Sequence, residues 1–154
     1  MLTGRLSHET DTRKLGAWLA SQLRIGDWLL LTGELGAGKT TLVRGLLSQL
    51  GVKEGVRSPT YNLVATYETS PPVCHVDLYR VPSEEGLGLE EYEASHVLLV
   101  EWPDRLQLDL PREARWSLEL AFESEGRRFR LACPPGRTPD PKGIIGLCDS
   151  PPDC

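Results

Sequence analysis

The chain has 154 residues, 40% hydrophobic and 25% charged, with 17 Lys+Arg against 22 Asp+Glu and a formal net charge of −5. Those figures fit one soluble globular domain that needs no disulfide or metal to hold a core. They argue against a large multidomain motor and against a domain that grips DNA or RNA mainly by charge. The longest apolar runs, such as Trp28 to Leu31 and Val97 to Val100, have four residues each, whereas a membrane span needs about 20. The N-terminal stretch carries Arg5, Glu9, Asp11, Arg13 and Lys14 and has no apolar run of signal-peptide type, so a cytoplasmic location is expected.

Residues 9–23 predict an amphipathic helix, with Leu15, Trp18, Leu19 and Leu23 at helical spacing and acids near its start. Asp27 to Leu31 predicts a short buried strand. Residues 39–50 predict a second helix that buries Leu42, Val43, Leu46, Leu47 and Leu50 and stops at Gly51. Residues 60–68 and Val73 to Tyr79 are rich in strand formers, with Pro71 and Pro72 between them. The acidic segment 83–93 carries a helical expectation that Gly86 and Gly88 weaken. Val97 to Trp102 predicts an apolar strand halted by Pro103. Residues 116–123 and 127–132 alternate about a turn at Ser124 to Gly126, as an antiparallel hairpin near one sheet edge does. The organisation expected is a domain over residues 1–132 followed by a disordered or loosely attached tail, 133–154, which holds six of the 12 prolines. Cys74, Cys133, Cys148 and Cys154 show no metal-ligand spacing and are expected to be reduced thiols.

The decisive segment is Gly33-Glu34-Leu35-Gly36-Ala37-Gly38-Lys39-Thr40, followed by Thr41. It satisfies the phosphate-loop (Walker A) pattern G-x-x-x-x-G-K-[ST] between an apolar strand and an amphipathic helix. Glycines let successive N–H groups turn inward toward phosphate oxygens, and the helix adds its positive end. Lys39 reaches the β- and γ-phosphates and the Thr40 hydroxyl is suited to Mg²⁺. A second acid is needed for the metal shell. Four apolar residues before Glu101 make it the best fit by form, with Asp77 the other strand-end candidate. Asn62 is the only asparagine, so a guanine-reading Asn-Lys-x-Asp motif is impossible. A small-molecule kinase stays open as an alternative, with Arg127, Arg128 and Arg130 as phosphate-clamping candidates. A non-catalytic nucleotide-dependent scaffold is disfavoured by the presence of Lys39, Thr40, Asp77 and Glu101 together.

Four blocks, GELGAGKTTLVRG at 33–45, SPTYNLV at 58–64, HVDLYR at 75–80 and VEWPDR at 100–105, resemble the TsaE (YjeE) ATPases of bacterial tRNA threonylcarbamoyladenosine synthesis, across residues 1 to about 132. Glu34 stands where that family usually has Asp. The resemblance implies an α/β fold of the three-layer P-loop NTPase type, with a mostly parallel central sheet, and a weak Mg²⁺-dependent ATPase. It implies association with TsaB and TsaD, which the ATPase resets between rounds of modification. It implies contact with tRNA only through that complex, and none with DNA or membrane. Carried onto this chain, it places ATP or ADP on Leu35, Gly36, Ala37, Gly38, Lys39, Thr40 and Thr41. Thr40 and Glu101 would hold Mg²⁺, with Asp77 orienting water or in the outer metal shell. Ser58, Pro59 and Thr60 resemble a loop that senses the γ-phosphate. Arg127 resembles the adenine-side contact, with Glu9 facing the base from the other side, although a first-turn acid favoured by the helix dipole is the simpler account of Glu9. Trp102 packs either beside the site, against a partner, or in the core.

Overall fold

The computed structural model describes residues 1–53 and 63–149. Seven strands form one sheet: β1 (Leu2–Leu6), β2 (Trp28–Thr32), β3 (Val64–Tyr67), β4 (Val73–Asp77), β5 (Val97–Glu101), β6 (Arg115–Phe122) and β7 (Arg127–Ala132). The spatial order is β1-β7-β6-β2-β5-β4-β3. The four central strands β6, β2, β5 and β4 run parallel, and β3, β7 and β1 add antiparallel pairs at the two sides. The predicted hairpin is β6–β7, but β1 lies outside it and forms the edge. That five-residue strand was not foreseen.

Two helices, α1 (Glu9–Gln22) and α2 (Lys39–Gln49), lie side by side on one face of the sheet. They meet at glycines. A Cβ on Gly16 would sit 2.1 Å from the Leu42 carbonyl oxygen, and one on Gly45 would sit 2.2 Å from that of Arg13. Alanine at either position would force the backbones apart. Asp11 starts α1 by accepting from the backbone N–H of Ser7 at 2.9 Å and of His8 at 3.0 Å, which satisfies donors that a helix start leaves open. The opposite face buries Trp28, Cys74, Val76, Leu98 and Val100 under Leu78, Leu89 and Leu110. This third layer is made of short 3-10 turns, not long helices. In particular, 83–93 supplies only the turn Leu89–Tyr92, because Gly86 and Gly88 sit in the left-handed region at φ 84° and 64°.

The strand alternation sorts the site residues. Even-numbered 74, 76, 98 and 100 face the turns, so odd-numbered 73, 97 and 99 face the helices. His75, Asp77 and Glu101 therefore share the helix-facing side, where α2 begins. Cys74 faces the other way, and burial pushes its thiol up to about 12. Cys133 and Cys148 are also free thiols.

The tail departs from expectation. From Cys133 to Asp149 it is packed across the domain, while 150–154 lie outside the described residues. Ile144 is fully buried in the core, and the Trp18 indole N–H donates to the Asp140 carbonyl at 2.6 Å. Arg137 donates to Asp27 Oδ2 at 2.9 Å and to the Gln22 carbonyl at 3.0 Å, and it lies over the Trp116 ring. A composition rich in Pro and Gly cannot anticipate docking by a buried isoleucine, the ion pairs Arg137–Asp27 and Arg128–Asp149, and main-chain bonds. Asp27 is 4% exposed in its side chain, so Arg137→Ala strands a buried charge. It should cost about 3 kcal/mol and lower the melting temperature by roughly 6–12 °C. An unchanged melting temperature would show that this ion pair contributes nothing.

Candidate functional site

The loop from Gly33 to Gly38 leaves the end of β2 and turns into α2. Gly36 and Gly38 adopt φ of 79° and 111°, a region open to glycine at little cost. The turn brings Lys39 back over the loop's own start. Its Nζ donates to the Gly33 carbonyl and, at 3.0 Å, to the Glu34 carbonyl. It also lies 4.8 Å from the centre of the Trp102 ring. Burial pulls the Lys39 ammonium below its ordinary pKa, and the carboxylates of Glu101 and Asp77 oppose that shift.

Two clefts flank the turn of the loop into α2, and a third, about 550 Å³, lies at its start beside Gly33, Glu34, Trp102 and Phe122. The first, about 200 Å³, is lined by Leu35, Gly36, Gly38, Lys39, Thr40, Thr41, Asp77, Tyr79, Glu101 and Trp102. The strand register explains how the two acids meet. Asp77 ends β4 directly beside Glu101, which ends β5, and the Leu78 N–H continues the pairing to the Glu101 carbonyl at 3.2 Å. Glu101 is 3% exposed and its Oε2 lies 2.8 Å from His75 Nε2. Asp77 Oδ1 accepts from the Tyr79 N–H at 3.0 Å. Immediately after Glu101, Trp102 takes φ 59°, a left-handed conformation that costs a non-glycine residue on the order of 1 kcal/mol. It sets the indole against Tyr79 at 4.8 Å and under Lys39. Of the placements open to Trp102 from sequence, two hold together: it lines the cleft and packs, partly buried, against the core on the turn-covered face of the sheet. Arg105 donates to the Val81 carbonyl at 2.7 Å and so ties the segments after Asp77 and Glu101 together.

The second cleft, about 210 Å³, lies on the other side of the loop and is lined by Leu6, Ser7, His8, Glu9, Thr12, Gly36, Ala37, Gly38, Thr41, Gly126 and Arg127. Arg127 reaches it from β7. Its guanidinium donates to the Gly36 carbonyl at 3.2 Å and stacks on Phe122 at 4.2 Å, while its buried Nε has no partner among the described residues. Glu9 stands at the rim, paired with Arg13 at 3.0 Å. Gly36, Gly38 and Thr41 line both clefts, so the two adjoin at the loop and the start of α2. Every predicted site residue is thus brought to the loop except Thr60, which with Ser58 and Pro59 lies outside the described residues. Sequence reasoning passed over His8, Thr12 and Tyr79 as lining residues. It quoted His75 only as part of a motif.

Among the described residues, no group of three or more His, Cys, Asp or Glu is placed to hold a metal by itself. Mg²⁺ does not require one, because it takes one or two carboxylates and completes its shell with phosphate oxygens and water. Two strand-end carboxylates and the Thr40 hydroxyl on one cleft fit that ion. No helix among the described residues is long and apolar enough to cross a membrane.

Residues 6–129 match the family model for threonylcarbamoyl adenosine biosynthesis protein TsaE. The chain is 35% identical to the tRNA threonylcarbamoyladenosine biosynthesis protein TsaE of Bacillus subtilis (strain 168), over 86% of this chain and 91% of that one. It is 40% identical to the protein of the same name from Aquifex aeolicus (strain VF5), over 82% and 92% of the two chains. The crystal structure of Bacillus subtilis YdiB superposes with a TM-score of 0.75 at 30% identity, covering 88% of this chain and 87% of that one.

Proposed function

Because the chain belongs to the TsaE family of threonylcarbamoyl adenosine biosynthesis proteins, we propose that it is the Mg²⁺-dependent ATPase of the cytoplasmic assembly that forms threonylcarbamoyladenosine in tRNA. In this reading it works with TsaB and TsaD and resets them between rounds. The observation that carries the catalytic part is the convergence of Lys39, Thr40, Asp77 and Glu101 on one cleft beside a phosphate loop.

The main-chain N–H groups from Gly36 to Thr40 cradle the phosphates, and Lys39 supplies the cation at the β- and γ-phosphates. Thr40 and Glu101 would hold Mg²⁺, which when bound would neutralise the charge that develops on the phosphates. Asp77, fixed beside Glu101 by strand register, orients the attacking water. The second cleft takes the nucleoside, with Arg127 and Glu9 on either side of the base. Of the three arginines open to a kinase lid, Arg127 donates to the Gly36 carbonyl, Arg128 is held by Glu123 at 2.6 Å and by Asp149 at 2.6 Å, and Arg130 lies exposed beside Met1 and Ala132.

ATP should bind more tightly than GTP, and Mg²⁺ should strengthen the binding. The chain has no Asn-Lys-x-Asp motif to read guanine, and the base cleft instead presents Glu9 and Arg127. Calorimetric titration with each nucleotide checks this, and tighter binding of GTP would refute it.

A further inference from the structure

We propose that His75 is a positioning residue for the Glu101 carboxylate, acting through a single Nε2–H···Oε2 bond that fixes which way the acid faces the metal. The proposal rests on the reading of Glu101 as the metal-side carboxylate. His75 is fully buried at the centre of β4, and its Nε2 lies 2.8 Å from Glu101 Oε2. A carboxylate oxygen accepts, so Nε2 carries the hydrogen of this bond and Nδ1 is the ring nitrogen it leaves over. That Nδ1 is buried with no hydrogen-bond partner among the described residues.

The asymmetry is informative. A histidine retained for packing alone would leave two unmatched polar atoms where leucine leaves none. One retained for general polar satisfaction would engage both nitrogens. Here one nitrogen is left unmatched and the other is spent on the acid at the end of the neighbouring strand. The register makes the bond possible. His75 sits opposite Leu99, and Glu101 lies two residues further on the same helix-facing side. The imidazole therefore reaches diagonally along the strands and holds Oε2. Glu101 lines the cleft with Lys39 and Thr40, and with one oxygen tied back, the other is left for the ion. Partners of this kind orient metal-binding carboxylates, and their loss typically lowers metal affinity by roughly 10- to 100-fold.

The test uses the full chain and calorimetric titration of a non-hydrolysable ATP analogue, in EDTA and across a Mg²⁺ series, with Mn²⁺ as a spectroscopic probe of the metal. His75→Leu should weaken the apparent Mg²⁺ and Mn²⁺ affinity of the nucleotide complex by about 10- to 100-fold and leave nucleotide affinity in EDTA unchanged. His75→Gln places an amide N–H at the reach of Nε2 and should restore most of the loss. His75→Asn places its amide short of Glu101 and should not. The Gln and Asn pair decides the matter if the Leu variant fails to fold. Wild-type metal affinity in His75→Leu, equal behaviour of the Gln and Asn variants, or an equal loss of affinity in EDTA would each overturn the proposal. Glu101→Gln separates the two levels. If it lowers metal affinity while His75→Leu does not, only the positioning role fails. If Glu101→Gln itself binds metal like wild type, the reading of Glu101 falls and the role of His75 falls with it.

Discussion

Lys39→Ala should lower ATP hydrolysis by roughly 30- to 1000-fold, the equivalent of about 2–4 kcal/mol in the transition state. Lys39 is the only cation among the described residues lining its cleft, which also carries Asp77 and Glu101. Its removal leaves two carboxylates facing the phosphates with no cation among those residues to balance them. The rest of the fold should tolerate the change. Burial already holds the Lys39 ammonium below its ordinary pKa, so charging it in place works against the folded state, and its hydrogen bonds go to carbonyls of the loop itself. Steady-state hydrolysis by the purified variant, alongside a thermal melt, separates the two effects. Wild-type turnover would reject the site.

Glu101→Gln should abolish most hydrolysis, on the order of 100-fold or more, with a much smaller effect on nucleotide binding. The phosphates draw on loop N–H groups that the substitution does not touch, whereas in-line attack needs the metal held at the end of β5. Glutamine is the substitution of choice because of what lies behind the acid. Its side-chain oxygen can still accept from His75, whereas alanine would leave the buried imidazole without its one partner and add a folding penalty of about 1–3 kcal/mol. Turnover and nucleotide affinity measured on the same preparation check this. Losses of equal size in both would mean that Glu101 acts in binding and not in the chemical step.

The parts of the site that are contiguous in the chain were readable from it. The phosphate loop declares itself by glycine spacing and by the change from a strand pattern to a helical one, and both flanking elements form where that change predicts. The strand-end acids were also visible, since each follows a run of strand-forming residues. Their adjacency was not, because it depends on β4 and β5 being parallel neighbours in register, and 24 positions of chain separate Asp77 from Glu101. The His75 bond was hidden for the same reason. Arg127 was placed by resemblance to a family, and its grip on Gly36 needs the β6–β7 hairpin to fold back over the loop. Elements held mainly by tertiary contact escaped altogether. β1 is five residues long, contains a glycine, and forms against β7 at the opposite end of the domain sequence. The strap from Cys133 to Asp149 has a composition that reads as unstructured, yet Arg137 finds a buried partner in Asp27, 110 residues earlier.

The central claim is that hydrolysis at this cleft serves tRNA modification. The most direct measurement is the number of threonylcarbamoyladenosines formed per TsaB–TsaD complex, in a mixture of those two proteins, substrate tRNA and an activated threonylcarbamoyl donor, with ATP and this protein either present or omitted. The account predicts repeated rounds only when both are present, and a return to the level without the protein when Glu101→Gln replaces wild type. A yield per complex that is the same with and without this protein, together with transfer of the γ-phosphate from ATP to a small metabolite by the protein alone, would contradict it.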